Sequence, residues 1–281
     1  PVADGAMTFQ VLAAAAHDAV GNPNPASNLA TVTYDSVPLT VAVTPEGAFT
    51  NASPITFTLT FSEAAAGLAE GEIEVANGVL VAGSLASGDG RVYTVQVTPS
   101  GQGAVTVRVP PGVAQKASGT VNNGSNTGRV TYDTVAPTVV VTPDGGTTSL
   151  SPIVFTLTFS EVVTGLAEGG LTIGGGTLVA GSLASADQKT YTVSVTPDGR
   201  GDVSLLVPAG VATDLAGNPN AASNLATVTY DTAPTVTVTT PAALTNPAPI
   251  VFTLTFSETV TGFAPSRLTV GNGSVVAGGV Q

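Results

Sequence analysis

One stretch of eleven residues occurs three times in this 281-residue chain, and the repetition constrains the fold more than any other feature. The copies read SPITFTLTFSE at 53–63, SPIVFTLTFSE at 151–161 and APIVFTLTFSE at 248–258. Their closing glutamates are 98 and then 97 residues apart. The same period separates three TYD triplets, which end at Asp35, Asp133 and Asp231. A fixed period of this length, close to the common size of one domain, is typical of a tandem domain array.

The period divides the chain into two complete repeats between two partial ones. We expect the C-terminal part of a repeat at 1–35, complete repeats at 36–134 and 135–231, and the N-terminal part of a repeat at 232–281. The two partial repeats together lack only the positions equivalent to 185–196, so one interpretation is that one chain completes the next. The other interpretation is that the array continues in a longer polypeptide.

The repeated segment itself alternates between apolar and mostly hydroxyl-bearing residues. Ile153, Phe155, Leu157 and Phe159 occupy every second position, and this period of two predicts a strand with one buried face. Six of the nine phenylalanines lie in the three copies of this strand, which predicts that it forms the centre of each core.

Seven strand-like segments fill each complete repeat. In the second repeat they lie at 138–143, 153–159, 190–197, 202–208 and 225–231, with two more forming a predicted hairpin at 171–183. The first repeat has Asn77-Gly78 in the corresponding hairpin, a dipeptide typical of tight hairpin turns. Seven short strands separated by turns predict an all-β chain of tandem immunoglobulin-like β-sandwich domains. The chain has no cysteine, so we expect no disulfides.

Composition excludes several classes of function. Nineteen acidic residues against seven lysines and arginines give a net charge of -12, which repels the phosphates of nucleic acid. No apolar run approaches the roughly 20 residues of a membrane-spanning helix, so we expect no membrane span.

The order of the motifs FTLTFSE, YTVSVTP, VPAGVATDLAGNPN and VTYDTAPTV resembles the bacterial Ig-like repeats found in tandem in very large secreted adhesins and cell-surface proteins. The resemblance covers all 281 residues. It implies an extracellular or cell-surface location in a bacterium, and a spacer or adhesive role. In some members of the family it also implies calcium at the junctions between domains.

Residues for catalysis are scarce. The single histidine, His17, is not repeated, because its equivalent in another repeat is Thr213. One recurring glutamate per repeat does not make an acid/base pair. The glycine-rich segment 173–177 has no following helix to hold a phosphate, which favours a hairpin turn. We therefore expect no catalytic site and no enzyme activity.

Acidic loops are the remaining candidates for a site. In a seven-strand sandwich the linker that enters a repeat, the loop after the Phe strand and the loop before the last strand lie at one end. The second repeat has oxygen-bearing side chains in all three, namely Asp133, Glu161, Asp214 and Asn218. Such hard oxygen ligands suit calcium. The competing interpretation is ordinary turn chemistry, which the Asp-x-x-Gly-Asn-Pro motif also fits. In the first repeat Lys116 and Thr120 replace Asp214 and Asn218, so calcium is predicted only for the second.

The sequence favours a structural and interaction protein, a rod-like extracellular spacer of a bacterial surface adhesin or exoprotein. Its expected partners are neighbouring Ig-like repeats of the same or an adjacent chain. A first alternative is a subunit of an extracellular filament in which neighbouring chains complete each other by strand complementation. A second is a carbohydrate-binding module, which five tyrosines and no tryptophan disfavour because sugar sites usually enlist aromatic faces.

Overall fold

The computed structural model describes residues 3–240 and 248–279. The parts of the predicted partial repeats at 1–2, 241–247 and 280–281 lie outside the described residues. Strands dominate the described chain, whose helical elements are three 3₁₀ turns at Glu70–Glu72, Glu168–Gly170 and Pro265–Arg267.

The chain opens with an antiparallel pair, β1 (Gly5–Phe9) and β2 (Ala30–Tyr34). Nine strands follow in the first complete repeat: β3 (Val41–Thr44), β4 (Glu46–Thr50), β5 (Ile55–Phe61), β6 (Glu74–Ala76), β7 (Gly78–Leu80), β8 (Ala86–Ser87), β9 (Val92–Pro99), β10 (Gly103–Arg108) and β11 (Gly128–Tyr132). One sheet has the order β3-β5-β9-β7 with β8 also on β9, and the other has the order β4-β11-β10-β6. All pairings are antiparallel except that of β4 with β11.

The second complete repeat has the same plan. Its strands are β12 (Val139–Thr142), β13 (Thr147–Thr148), β14 (Ile153–Phe159), β15 (Thr172–Gly174), β16 (Gly176–Leu178), β17 (Ala184–Ser185), β18 (Thr190–Pro197), β19 (Gly201–Leu206) and β20 (Ala226–Tyr230). The sheets run β12-β14-β18-β16, with β17 on β18, and β13-β20-β19-β15. The chain then continues into an antiparallel pair, β21 (Val236–Thr239) and β22 (Thr253–Phe256).

The predicted alternation of the Phe strand is confirmed. In β14 the side chains of Phe155 and Leu157 are completely buried and Phe159 is nearly so, whereas Val154 on the opposite face is 54% exposed. The buried apolar residues form two separate clusters, one spanning positions 39–130 and the other 139–228. Each complete repeat therefore encloses a hydrophobic core of its own residues.

Two polar side chains per repeat reinforce this core. Asn224 holds β12 by its backbone: its Nδ2 donates to the carbonyl of Val141 at 3.0 Å, and the amide of Val141 donates back to Oδ1 at 2.9 Å. Tyr191 packs edge-on against Phe159 and donates its hydroxyl to the carbonyl of Val163.

The predicted hairpin at 171–183 is wrong. Its two strands lie in different sheets, because β15 pairs with β19 and β16 pairs with β18. Gly175 makes the crossing with a φ of +67°, and a Cβ there would lie 2.0 Å from the carbonyl oxygen of Asp202. Asn77, with a φ of 53°, stands at the equivalent corner of the first repeat. The Asn77-Gly78 dipeptide thus supplies the backbone conformation of a turn. The short strands on either side of it do not pair with each other, because β6 pairs with β10 and β7 pairs with β9.

Candidate functional site at the repeat junctions

Three loops meet where the second repeat begins. Asp133 lies in the linker between β11 and β12, Glu161 follows β14, and Asp214 and Asn218 lie between β19 and β20. One carboxylate oxygen from each of Asp133, Glu161 and Asp214 lies within 4.8 Å of the other two. Calcium binds oxygens at about 2.3–2.6 Å, so a single ion is able to contact all three carboxylates. The residues present therefore fit a hard divalent cation.

Local turn chemistry holds two of these three carboxylates in place, those of Asp214 and Asp133. Oδ1 of Asp214 accepts hydrogen bonds from the amides of Ala216 and Asn218, both at 2.8 Å, and the Asp214 residue is only 4% exposed. Oδ1 of Asp133 accepts from the amide of Val135 at 2.9 Å. The interpretation as ordinary turn chemistry and the interpretation as a cation site are therefore compatible. The same hydrogen bonds that form the turns also orient the carboxylates of Asp214 and Asp133.

Asn218 links the loop to the linker and to the preceding repeat. Its Nδ2 donates to Oδ2 of Asp214 at 2.8 Å and to the carbonyl oxygen of Asp133 at 2.9 Å. Its Oδ1 accepts from Nδ2 of Asn51 at 3.0 Å. Asn218 therefore presents its amide nitrogen to the carboxylate of Asp214 and to the backbone of Asp133. Its direct contact with an ion stays a prediction. Sequence analysis missed Asn51, whose equivalent in the second repeat is Ser149, so no repeated pattern marks it.

Burial and the neighbouring acids both act on the carboxyl of Glu161. Burial raises the pKa of its carboxyl above the ordinary value of 4.5, and the negative charges of Asp214 and then Asp133 raise it further. Lys189 acts in the opposite direction but forms no ion pair with Glu161 among the described residues. The carboxylate form of Glu161 is thus disfavoured in the folded chain unless positive charge is added.

The equivalent place at the first junction contains a lysine. The Lys116 side chain is only 3% exposed, and its Nζ lies 2.6 Å from Oδ2 of Asp35 and 3.2 Å from Oε1 of Glu63. Hydrogen bonding to Asp35 raises the pKa of Lys116, and the same bond lowers the pKa of Asp35. Thr120 occupies the position of Asn218 and donates its hydroxyl to the carbonyl oxygen of Asp35 at 3.0 Å. The ammonium group therefore lies between the two carboxylates that correspond to Asp133 and Glu161.

The third junction also contains a cation. The guanidinium of Arg200, from the turn between β18 and β19, pairs with Asp231 and with Glu258. These two acids correspond to Asp133 and Glu161. Arg200 reaches the junction from the preceding repeat, whereas Lys116 belongs to the repeat that follows its linker.

The residues weighed for catalysis or phosphate binding lie apart from this site. His17 is exposed in a loop and forms an isolated backbone bridge with Pro23. The glycine-rich segment 173–177 forms the corner between β15 and β16, which lie in different sheets, so it is a turn but not the predicted hairpin turn. Among the described residues, no helix has the length and apolar character needed to cross a bilayer.

Sequence comparison identifies both complete repeats independently. The family model described as "Bacterial Ig-like domain" matches residues 35–132 and again 133–230. The chain belongs to this family. Each matched bacterial Ig-like domain begins at a linker aspartate of the junctions described above. No curated protein matches the sequence.

Solved structures similar to these bacterial Ig-like domains include InvD of Yersinia pseudotuberculosis, with 15% identity over 78% of this chain and 67% of that one, at a TM-score of 0.37. Invasin, a bacterial integrin-binding protein, has 14% identity over 82% of this chain and 50% of its own, at a TM-score of 0.38. The D00-D0 domain of intimin has 16% identity over 68% of this chain and 98% of that one, at a TM-score of 0.32. Likenesses this distant carry no information on function.

Proposed function

We propose that the chain is a rod-like extracellular spacer of a bacterial surface adhesin or exoprotein. The observation that carries the proposal is that the linkers in front of the two complete repeats are each bonded to the repeat that follows. The backbone carbonyl of Asp133 accepts from Asn218, and that of Asp35 accepts from Thr120 at the equivalent position. Asn51 adds a bond from one complete repeat directly to the next. Such bonds restrict rotation about the linker and favour an extended array.

Small-angle X-ray scattering of the whole chain tests the spacer. A compact protein of this length has a radius of gyration of about 19 Å. A tandem spacer gives a value well above this and an elongated distance distribution. A radius near the compact value means that the repeats fold back on each other and contradicts the proposal.

A spacer turns over no substrate, and binding in this account resides in other parts of the assembled protein. Purified chain should therefore be inactive against esters, peptides and glycosides. A hydrolase activity that persists through purification and is abolished by one substitution in this chain would contradict this part of the proposal.

We also propose calcium as the cation of the middle junction. Asp133, Glu161 and Asp214 would hold it, with Asn218 orienting the carboxylate of Asp214 and bonding the backbone of Asp133. The chemistry that the ion supplies is neutralisation of three carboxylates between consecutive repeats. Calcium at 100 times its dissociation constant should stabilise the second repeat by about 2.7 kcal/mol. Calorimetric melting of the whole chain in calcium and in chelator tests this, and an unchanged profile would contradict calcium binding.

A further inference from the structure

The same pair of acids occurs at all three junctions of the chain. Each pair joins the aspartate of a TYD linker to the glutamate that closes the following Phe strand, giving Asp35 with Glu63, Asp133 with Glu161, and Asp231 with Glu258. Two carboxylates held near each other and partly removed from water repel, and the charged forms are disfavoured. Positive charge between them removes this repulsion.

Two different loops supply that charge. At the first junction it comes from Lys116, whose side chain is almost completely buried against Asp35 and Glu63. A buried ammonium is tolerated only when it is paired, so its burial here is explained by the two acids. At the third junction the charge comes from Arg200, whose guanidinium contacts both acids of that pair.

The middle junction has a different residue at both of these positions. Asp214 stands at the position of Lys116, and Gln102 stands at the position of Arg200. The side chain of Gln102 bonds to Thr134, donating to its hydroxyl at 2.6 Å and accepting from its amide at 3.1 Å. No lysine or arginine forms an ion pair with Asp133 or Glu161 in the part of the chain that the structure describes.

We infer that each junction needs one cation between its two acids, and that two positions of the repeat decide its source. These are the position of Lys116 and Asp214 in the loop between the last two strands, and that of Gln102 and Arg200 in the turn before the penultimate strand. Lys116 and Arg200 are the resident cations of the first and third junctions. The middle junction depends on an exchangeable cation, and only this last statement rests on the proposed calcium site.

The inference is tested by moving the charge between junctions of the whole chain. Gln102→Arg places a guanidinium where the third junction has one, and Gln102→Met is its uncharged control. Lys116→Met removes the resident cation of the first junction while keeping a long side chain. Hydrogen exchange measured by peptide mass spectrometry, in chelator, reports each linker separately through the segments 35–40 and 133–138.

In chelator, Gln102→Arg should slow exchange in the segment 133–138, and Gln102→Met should not. Lys116→Met should accelerate exchange in the segment 35–40 by about tenfold or more, because two acids are left without their counter-charge. The segment at the other junction should stay unchanged in each case. Because Gln102→Arg adds an exposed charge on a turn, it keeps the test valid even where Lys116→Met impairs folding.

Repeating the exchange measurement in calcium distinguishes the two proposals. If calcium does not change exchange in the wild-type chain while Gln102→Arg still slows exchange at 133–138, the calcium proposal fails and the cation requirement stands. If Gln102→Arg and Gln102→Met behave alike in chelator, the cation requirement is overturned, whatever calcium does to the wild-type chain.

Discussion

The two complete repeats have nearly identical cores, but one loop position at the junction in front of them carries opposite charges, Lys116 in the first and Asp214 in the second. Phe57 and Phe155 are both completely buried at equivalent positions of the Phe strand. In front of the first repeat, however, a buried lysine lies between two acids, while in front of the second a third acid takes its place. The apolar period that specifies the sandwich is thus independent of the loop charges. A single loop position is able to change the chemistry of a junction without changing the fold.

The largest effect should be common to both repeats. Phe155→Ala and Phe57→Ala should each cost about 3–5 kcal/mol of unfolding free energy, because a large side chain is removed from a filled core. Chemical denaturation of single-substitution chains measures this. Val154→Ala, on the exposed face of the same strand, is the control and should change stability little. A large difference between the two phenylalanines would show that the cores are less alike than their packing indicates.

A smaller loss of stability, again common to both repeats, is expected on removing the asparagine that bonds the backbone of β3 or β12. Asn224→Ala should cost about 1–3 kcal/mol, since the buried amide and carbonyl of Val141 lose their partner. Asn126→Ala should behave the same way at Val43. Asn224→Asp should cost more than the alanine variant, because a carboxylate oxygen would face the carbonyl oxygen of Val141 and the carboxylate of Asp144. Chemical denaturation measures all three variants, and an alanine or aspartate variant as stable as wild type would contradict this role of Asn224.

The tyrosine of each core should show a modest difference between repeats. Tyr93→Phe should cost about 1 kcal/mol, because its hydroxyl donates to the carbonyl of Ala65 at 2.7 Å. Tyr191→Phe should cost less, since the corresponding bond to Val163 is 3.3 Å long. Thermal unfolding of the two variants decides the order, and the reverse order would contradict this interpretation of the two bonds.

Acid should affect the two junctions in opposite directions. The pKa of Glu161 is raised, so its ionisation opposes folding: the cost is present above the raised pKa and disappears as the pH falls toward 4.5. The pKa of Asp35 is lowered, so its contribution is present above 3.8 and is lost as the pH falls through the lower folded value.

Hydrogen exchange of the two linkers, corrected for the intrinsic rate, measures these opposite trends. The interval from neutral pH down to 4.5 reports Glu161, and the interval below 3.8 reports Asp35. Glu161→Gln should remove the pH dependence at the second linker and leave the first unchanged. Parallel trends at both linkers would contradict the assignment of charge at the junctions.

Most of the fold could be predicted from the sequence, because period-two alternation and the 98-residue period report directly on buried faces and repeated domains. The corner at Asn77 could not, since a turn dipeptide fixes the local backbone but not which neighbouring strand each arm pairs with. The convergence of Asp133, Glu161 and Asp214 was predictable from the order of the loops. Arg200 was missed because it contacts the next repeat, although comparing it with Gln102 would have revealed the added charge.

Calcium binding by the two complete repeats, prepared separately as 35–132 and 133–230, tests the central claim most directly. Each piece contains its own core and its own linker aspartate, and each matches the family model by itself. Isothermal titration should show one calcium ion bound by the second repeat and none by the first. Asp214→Lys with Asn218→Thr should abolish binding, and Lys116→Asp with Thr120→Asn should create it in the first repeat. Equal binding by both repeats, or none by the second, would contradict the account.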